Sequence, residues 1–357
     1  MPVSVRFSRQ ASDEAAFHRE LKQRVDAWFE AEGISKKGNA FMAFKSLFWI
    51  GSSIGCLLVI LLAGLPTWAT LGVYGLMGFC FACIGFNVGH DAIHGSYSRS
   101  SRINGLMSWS YELIGANARN WAHAHNVRHH TWTNVVGVDD DIDAGPWLRL
   151  HTADPLLGHH RFQHVYAWFL YMLFTLNWVC VGDWIQIREP HPNTGKHEPL
   201  QGYVKLVVGK LSHFGLLLAL PAWVLGPWLA LAGFLVFHMV GGLVLAVVFQ
   251  LAHVVEGPEV FVPDEADQLP HRWAALQLRT TADFCEGNPV VSFIVGGLDY
   301  QVEHHLFPAI CHVHYPRIAP IVRQVAEAHG LPYHRHPTFL GAVASHTRQL
   351  RALGRAG

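Results

Sequence analysis

The sequence predicts an all-α integral membrane protein whose histidines build a metal centre at one membrane face. Three observations predict it. Apolar residues make up 51% of the 357-residue chain and charged ones only 15%, against about 25% charged in ordinary soluble domains. The apolar residues gather in stretches of about 20, long enough to cross a hydrocarbon core of about 30 Å. Finally, the 25 histidines include three tight clusters separated by those stretches. The clusters are His90-Asp91-Ala92-Ile93-His94, His125-Asn126-Val127-Arg128-His129-His130 and Gln301-Val302-Glu303-His304-His305.

Charge and cysteine usage narrow the class. The 26 acids balance the 26 bases, so no overall charge draws the chain to nucleic acid. Cys56, Cys80, Cys83, Cys180, Cys285 and Cys311 lie mostly inside apolar runs, as buried thiols of a reducing compartment do. Cys80 and Cys83 form a CxxC, but its apolar surroundings (Gly78 to Ile84) read as helix packing.

The first 40 residues carry scattered charges and no apolar core, so they do not read as a signal peptide. Ser12 can cap a helix with Phe17, Leu21, Val25, Trp28 and Phe29 on one side and Gly33 as its stop. Such a helix lies on the protein or on the membrane surface. Residues 1–40 are thus an amphipathic, cytoplasmic segment.

The first span is expected at 46–65, after Lys36, Lys37 and Lys45, and Gly64-Leu65-Pro66 turns the chain into a second at 67–88. By the positive-inside rule the N-terminus and the end of the second span are cytoplasmic. That places His90 and His94 at the cytoplasmic mouth. The polar stretch that follows contains the acid run from Asp139 to Asp143, which reads as a solvated loop. Further apolar stretches cover 165–187, 205–225 and 228–252. Should the middle cluster and His253 face one compartment, an even number of spans separates them. The tight Gly226-Pro227 turn pairs the last two stretches, leaving 165–187 in the membrane plane. The expectation is four spans in two hairpins, with residues 253–354 as a cytoplasmic helical cap. Within the cap a helix over 317–329 ends at Gly330, before Pro332.

On a helix, His90 and His94 share a face, as do His125 and His129, with His130 turned about 100° away. Adjacent His304 and His305 can splay toward two metals. Imidazole suits iron, copper, nickel or zinc, and seven clustered histidines exceed one four-coordinate zinc. Asp91 can orient a neighbouring ring. His253 ends the last span at the depth of His94, with Gln250 and Glu256 one turn to either side. His123, His312 and His314 are nearer to the clusters than the remaining histidines, which read as hydrogen-bonded structural residues. Mid-span polar groups are few (Ser52, Ser53, His213 and His238), which disfavours a transporter.

The clusters HDAIH (90–94), HNVRHH (125–130) and QVEHH (301–305) resemble, in order, the three histidine boxes of the membrane fatty acid desaturases. Thr131-Trp132-Thr133-Asn134, Gly296-Gly297-Leu298-Asp299-Tyr300, Leu306-Phe307-Pro308 and Cys311-His312-Val313-His314-Tyr315-Pro316 look like that family too. The resemblance extends from about Phe41 to Gly354 and implies a desaturase domain over 41–354. It implies two non-haem irons, with O2 as co-substrate and two electrons consumed as an acyl chain loses two hydrogens. The implied ligands are His90, His94, His125, His129, His130, His253, His304 and His305. Gln301 stands where many members have histidine. That resembles the subgroup with front-end and linoleoyl-CoA-type desaturases. Gln301 joins Asp91, Asn126, Gln250 and His312 as a weak or outer ligand candidate.

The chemistry agrees, because taking hydrogen from an unactivated methylene needs a metal oxidant shielded from water. The implied substrate is an acyl-CoA or acyl-lipid chain at the membrane. Paired CxxC sites, GxGxxG and the His-Pro-Gly-Gly haem signature are missing, and His191-Pro192-Asn193 matches the last only at its start. Electrons are therefore expected from a separate ferredoxin, or from a b-type cytochrome with its reductase. A bacterial inner membrane is the expected location. The competing readings are a di-iron hydroxylase or ketolase acting on a lipid, sterol, carotenoid or alkane, and a membrane zinc hydrolase or receptor-like protein.

Overall fold

A computed structural model describes residues 4–9, 12–191 and 194–356, so Pro192 and Asn193 of the partial haem signature lie outside the described residues. In chain order the main elements are α1 (Ser12–Glu32), α2 (Ala40–Leu62), α3 (Thr67–Ile93), α4 (Ser101–Leu113) and α5 (His123–His129). There follow α6 (His160–Gln186), α7 (Leu200–Leu225), α8 (Pro227–His253), α9 (Trp273–Thr280) and β1 (Ala282–Phe284). The last are α10 (Pro289–Val295), α11 (Gln301–Leu306), α12 (Tyr315–Ala328), β2 (His334–His336) and α13 (Phe339–Leu353).

Among the described residues, five helices are long and apolar enough to cross a membrane: α2, α3, α6, α7 and α8. They coincide with the five apolar stretches, and several begin or end up to six residues beyond them. Runs of hydrophobic residues mark the hydrocarbon, whereas the helices continue into the polar layers. The chain is mostly helical, as expected, but β1 and β2 pair in parallel, Ala282 opposite His334 and Phe284 opposite His336. Three-residue strands are too short to leave a period in the sequence.

The chain forms two compact units. The first, residues 40–122 and 168–247, is the apolar one. Its core joins Tyr74 and Met77 of α3 to Leu217 of α7 and Phe234 and Phe237 of α8. Small residues let backbones meet there: a Cβ on Gly78 would lie 2.2 Å from the Phe237 carbonyl oxygen. Polar groups in this unit satisfy one another. Lys210 Nζ donates to Asp183 Oδ2 at 2.6 Å, and Asn120 Nδ2 donates to Asp183 Oδ1 at 3.0 Å. His213 Nδ1 donates to the Leu113 carbonyl at 2.9 Å, and its Nε2 lies 3.2 Å from His238 Nε2. The mid-span histidines are thus helix-to-helix ties. Before its last turn α3 winds as a π-helix over Gly85–Gly89.

The second unit contains residues up to 39, 123–167 and from 248 onward. Phe17, Leu21, Val25 and Phe29 of α1 are buried with Ile318, Val322 and Val325 of α12, so the amphipathic helix lies on the protein. Gly33, left-handed at φ 64°, ends it. The helix expected at 317–329 is α12. Arg149 is buried and donates to the carbonyls of Thr152, Asp154 and Leu353 at 2.8–2.9 Å, the last at the end of α13.

The Gly78 contact yields a prediction. Gly78→Leu should destabilise the apolar unit by at least about 1–3 kcal/mol, the usual cost of overpacking, since a rigid carbonyl stands in the way. A lowered unfolding midpoint in detergent is the expected readout, with Gly72→Leu, where nothing lies within 4 Å, as the near-neutral control.

Candidate metal centre

The middle box is wound differently from the expected α-helix. The His130 N–H donates to the His125 carbonyl five residues back, at 2.9 Å, closing the π-helical turns of α5. A π turn takes in about one extra residue, so residues five apart share a face. His130 is therefore not turned about 100° from His125. The two Nε2 atoms lie 3.1 Å apart, close to the roughly 3.0–3.4 Å between neighbouring nitrogens each about 2.1 Å from one metal.

Two more segments, ending at His253 and carrying His304 and His305, bring histidines to the same unit. His129, His253 and His305 are buried, and their ligand nitrogens lie within 4.8 Å of one another. His129, His125 and Asp141 form another such group. The ring of His304 stacks parallel to that of His125 at 5.9 Å and meets His130 edge-on at 4.4 Å. His90 and His94 belong to the apolar unit, at the end of α3, with ring centroids 4.7 Å apart as their four-residue spacing requires. Trp121 lies edge-on to His90 at 5.5 Å.

Four of the rings have a partner on Nδ1. His129 Nδ1 donates to Asp139 Oδ2 at 3.0 Å, His253 Nδ1 to the Thr280 carbonyl at 3.1 Å, and His305 Nδ1 to Gln277 Oε1 at 2.9 Å. These oxygens only accept, so the proton of each neutral ring sits on Nδ1 and the lone pair on Nε2. His304 Nδ1 lies 3.2 Å from the Tyr315 hydroxyl.

Local turns put those partners in place. The Asp139 carboxylate accepts the backbone N–H groups of Asn134 and Asp141 at 2.8 and 3.0 Å, folding the acid run back onto the box. The run is therefore no solvated loop. Asp139 is buried, and Asp140 pairs with Arg128 at 2.7 Å. Before the third box Gly296 and Gly297 are both left-handed, and a Cβ on Gly297 would come within 2.7 Å of His312 Cβ. The N–H of Val302, inside that box, donates to Asp283 Oδ1 of β1 at 2.9 Å. The Tyr333 hydroxyl bridges Asp283 Oδ2 and Glu303 Oε1, at 2.5 and 2.9 Å.

The electrostatics follow. Burial alone would lower His129, but the charges of Asp139 and Asp141 and the Asp139 hydrogen bond push it up to about 9. Burial would raise Asp139, yet His129 and two backbone N–H groups hold it below the usual carboxylate range. Burial raises Asp141 to about 6 and Asp283 to about 7. Burial and then the charge of Asp283 push Glu303 well above its ordinary value.

The outer candidates divide. Asp91 Oδ1 is 3.7 Å from His90 Nδ1, beyond hydrogen-bond reach. Gln250 Nε2 reaches the Asp141 carbonyl at 3.4 Å, and Gln301 is buried at the start of α11. Asn126 and His123 are half-buried on α5. His312 is buried in the single turn His312–His314, where His314 Nε2 donates to the Lys37 carbonyl at 3.1 Å. Glu256 turns away, to Ser345 and, in an exposed ion pair, to Arg348. Sequence reasoning missed Asp139, Gln277, Thr280 and Tyr315. Only Asp139 and Tyr315 lay in stretches it had singled out.

The donor set fits a transition metal. Buried imidazoles with one carboxylate in reach suit iron, copper or zinc, and not the oxygen-seeking magnesium or calcium.

Comparison with known proteins identifies the family. The fatty acid desaturase family matches residues 66–337. The chain is 35% identical to the sn-1 linoleoyl-lipid 6-desaturase of Arthrospira platensis, over 94% of this chain and 92% of that protein. Against the sn-1 linoleoyl-lipid 6-desaturase of Synechocystis sp. it is 35% identical, over 95% and 96%. With the acyl-lipid (8-3)-desaturase of Physcomitrium patens it shares 32% over 95% of this chain and 72% of the relative. The chain belongs to the fatty acid desaturase family, oxidoreductases that place double bonds in fatty acyl chains.

Proposed function

We propose that this desaturase acts on an acyl chain carried by a membrane lipid and inserts a cis double bond with two irons and O2. The lipid-linked substrate is supported by the relatives' names, two of which specify an sn-1 linoleoyl-lipid. The proposed ligands are the eight histidines of the sequence reading: His90, His94, His125, His129, His130, His253, His304 and His305. The observation that carries the metal reading is the trio His129, His253 and His305, each ring donating from its outer nitrogen to an oxygen that only accepts.

Bound iron would supply the O2 activation that side chains cannot. The balance is one CH2–CH2 unit, O2, two electrons and two protons giving CH=CH and two waters. This chain's residues orient the imidazoles and keep water out. Asp139 holds the proton on His129 Nδ1. The two electrons come from a separate ferredoxin or b-type cytochrome.

The desaturase domain is proposed to run from 41 to 354. Both termini and the centre are cytoplasmic in a bacterial inner membrane, with residues 253–354 as the cap. The parity argument still applies to the five long helices. With the middle box and His253 on one side, one of α6, α7 and α8 fails to cross, and α6 is proposed to lie in the membrane plane.

Expression in a host that makes linoleoyl lipids but lacks further desaturation tests the reading. The expected result is a lipid-linked product two hydrogens lighter, found before any change in the acyl-CoA pool. A product heavier by one oxygen would instead mark a hydroxylase. Purified protein should hold two irons per chain, and zinc in place of iron would overturn the reading. His129→Ala and His304→Ala should each lower desaturation by more than about 100-fold, beyond the cost of losing an outer-sphere partner, while the protein still inserts into the membrane.

A further inference from the structure

Two consecutive residues just past the middle box touch the outer partners of all three rings in the trio. Thr133 and Asn134 are fully buried, neither being exposed at all. The Asn134 N–H donates to Asp139 Oδ2 at 2.8 Å, the same oxygen that accepts from His129 Nδ1. Its side-chain Nδ2 faces three carbonyls: His253 at 3.2 Å, Glu259 at 3.1 Å and Thr280 at 3.3 Å. Thr280 is the carbonyl that accepts from His253 Nδ1. One residue therefore grips the acceptor of His129, the acceptor of His253 and the backbone of His253 itself. An amide with two N–H groups is suited to this, since it can share three acceptors where a hydroxyl with one proton cannot.

Thr133 completes the set. Its hydroxyl lies 2.8 Å from Gln277 Oε1 and 3.2 Å from His305 Nδ1, closing a triangle on the 2.9 Å bond between those two. The hydroxyl also lies 2.7 Å from the His129 carbonyl, so its one proton serves either the box or the third histidine's acceptor. The backbone explains why asparagine stands at 134. Its φ is 55°, in the left-handed region that asparagine tolerates better than most residues with a side chain. The left-handed turn aims the N–H at Asp139 while its own carbonyl accepts from Phe261 at 2.9 Å.

We propose that Thr133 and Asn134 are positioning residues that act as one clamp, fixing the outer nitrogens of His129, His253 and His305. The proposal rests on the reading of those histidines as ligands. They touch no reacting atom. They act by holding Asp139, Thr280 and Gln277 where each keeps one ring in its ligating orientation.

The test uses the full-length protein in nanodiscs, with iron content and the rate of Fe(II) release to ferrozine as readouts besides activity. Asn134→Gly keeps the left-handed backbone at no strain and removes only the amide. It should melt near the wild-type temperature, release iron about 10- to 100-fold faster, as lost outer partners do, and lower kcat with KM unchanged. Asn134→Asp, which puts oxygen against the carbonyls, should be no better. Thr133→Val, of similar shape, should speed release through His305, and Thr133→Ser, which restores the hydroxyl, should rescue it. If Asn134→Gly fails to fold, the Thr133 pair decides.

His305→Ala separates the two ideas. Wild-type iron content in His305→Ala would overturn the ligand reading and the clamp with it. Defective His305→Ala beside wild-type release in Asn134→Gly and Thr133→Val overturns the clamp alone.

Discussion

Which nitrogen of each imidazole carries the proton is the constraint on which the centre depends. A neutral ring has one donor and one acceptor nitrogen, and a ring with the wrong tautomer turns a proton toward the metal. At His129, His253 and His305 the choice is made by a carboxylate, a peptide carbonyl and a side-chain amide. The three acceptors differ in charge, so the rings differ in basicity. His129, backed by the Asp139 carboxylate, is pushed up, whereas burial lowers His253 to about 3. Thr133 and Asn134, just past the middle box, contact all three oxygens.

The boxes were legible in the sequence because ligand spacing is local. His90 and His94 pair across one turn wherever their helix lies. The direction of His130 was not legible, since an α-helical period was assumed and the π winding of α5 follows from its surroundings. Asp139 was hidden for another reason. Four acids in a row of five residues look solvated, and only the turn that returns their first member to His129 makes it a buried partner. Gln277 and Thr280 come from α9, far along the chain, and carry no local mark. The spans were legible from length and composition. How many of them cross is not a property of any one stretch.

The apolar unit shows a second use of buried polarity. Lys210, Asp183 and Asn120 answer one another, as do His213 and His238, in a unit that is mostly apolar. An unpaired partner in such a place is costly, so each pair admits few alternative helix registers. The contacts among glycines and aromatic rings set how closely the helices approach, and the polar pairs set how they are rotated.

The π segment of α3 has a consequence for how this sequence tolerates insertion and deletion. Gly85–Gly89 adds a residue to the helix just before His90 and His94. Removing one residue there would shorten α3 by only about 1.5 Å, within what a bilayer absorbs, yet would swing the two histidines by about 100° about the helix axis. Length and direction are thus uncoupled at this point. The segment works as an indexing notch, where one codon lost would leave a membrane protein of ordinary appearance with His90 and His94 facing the wrong way.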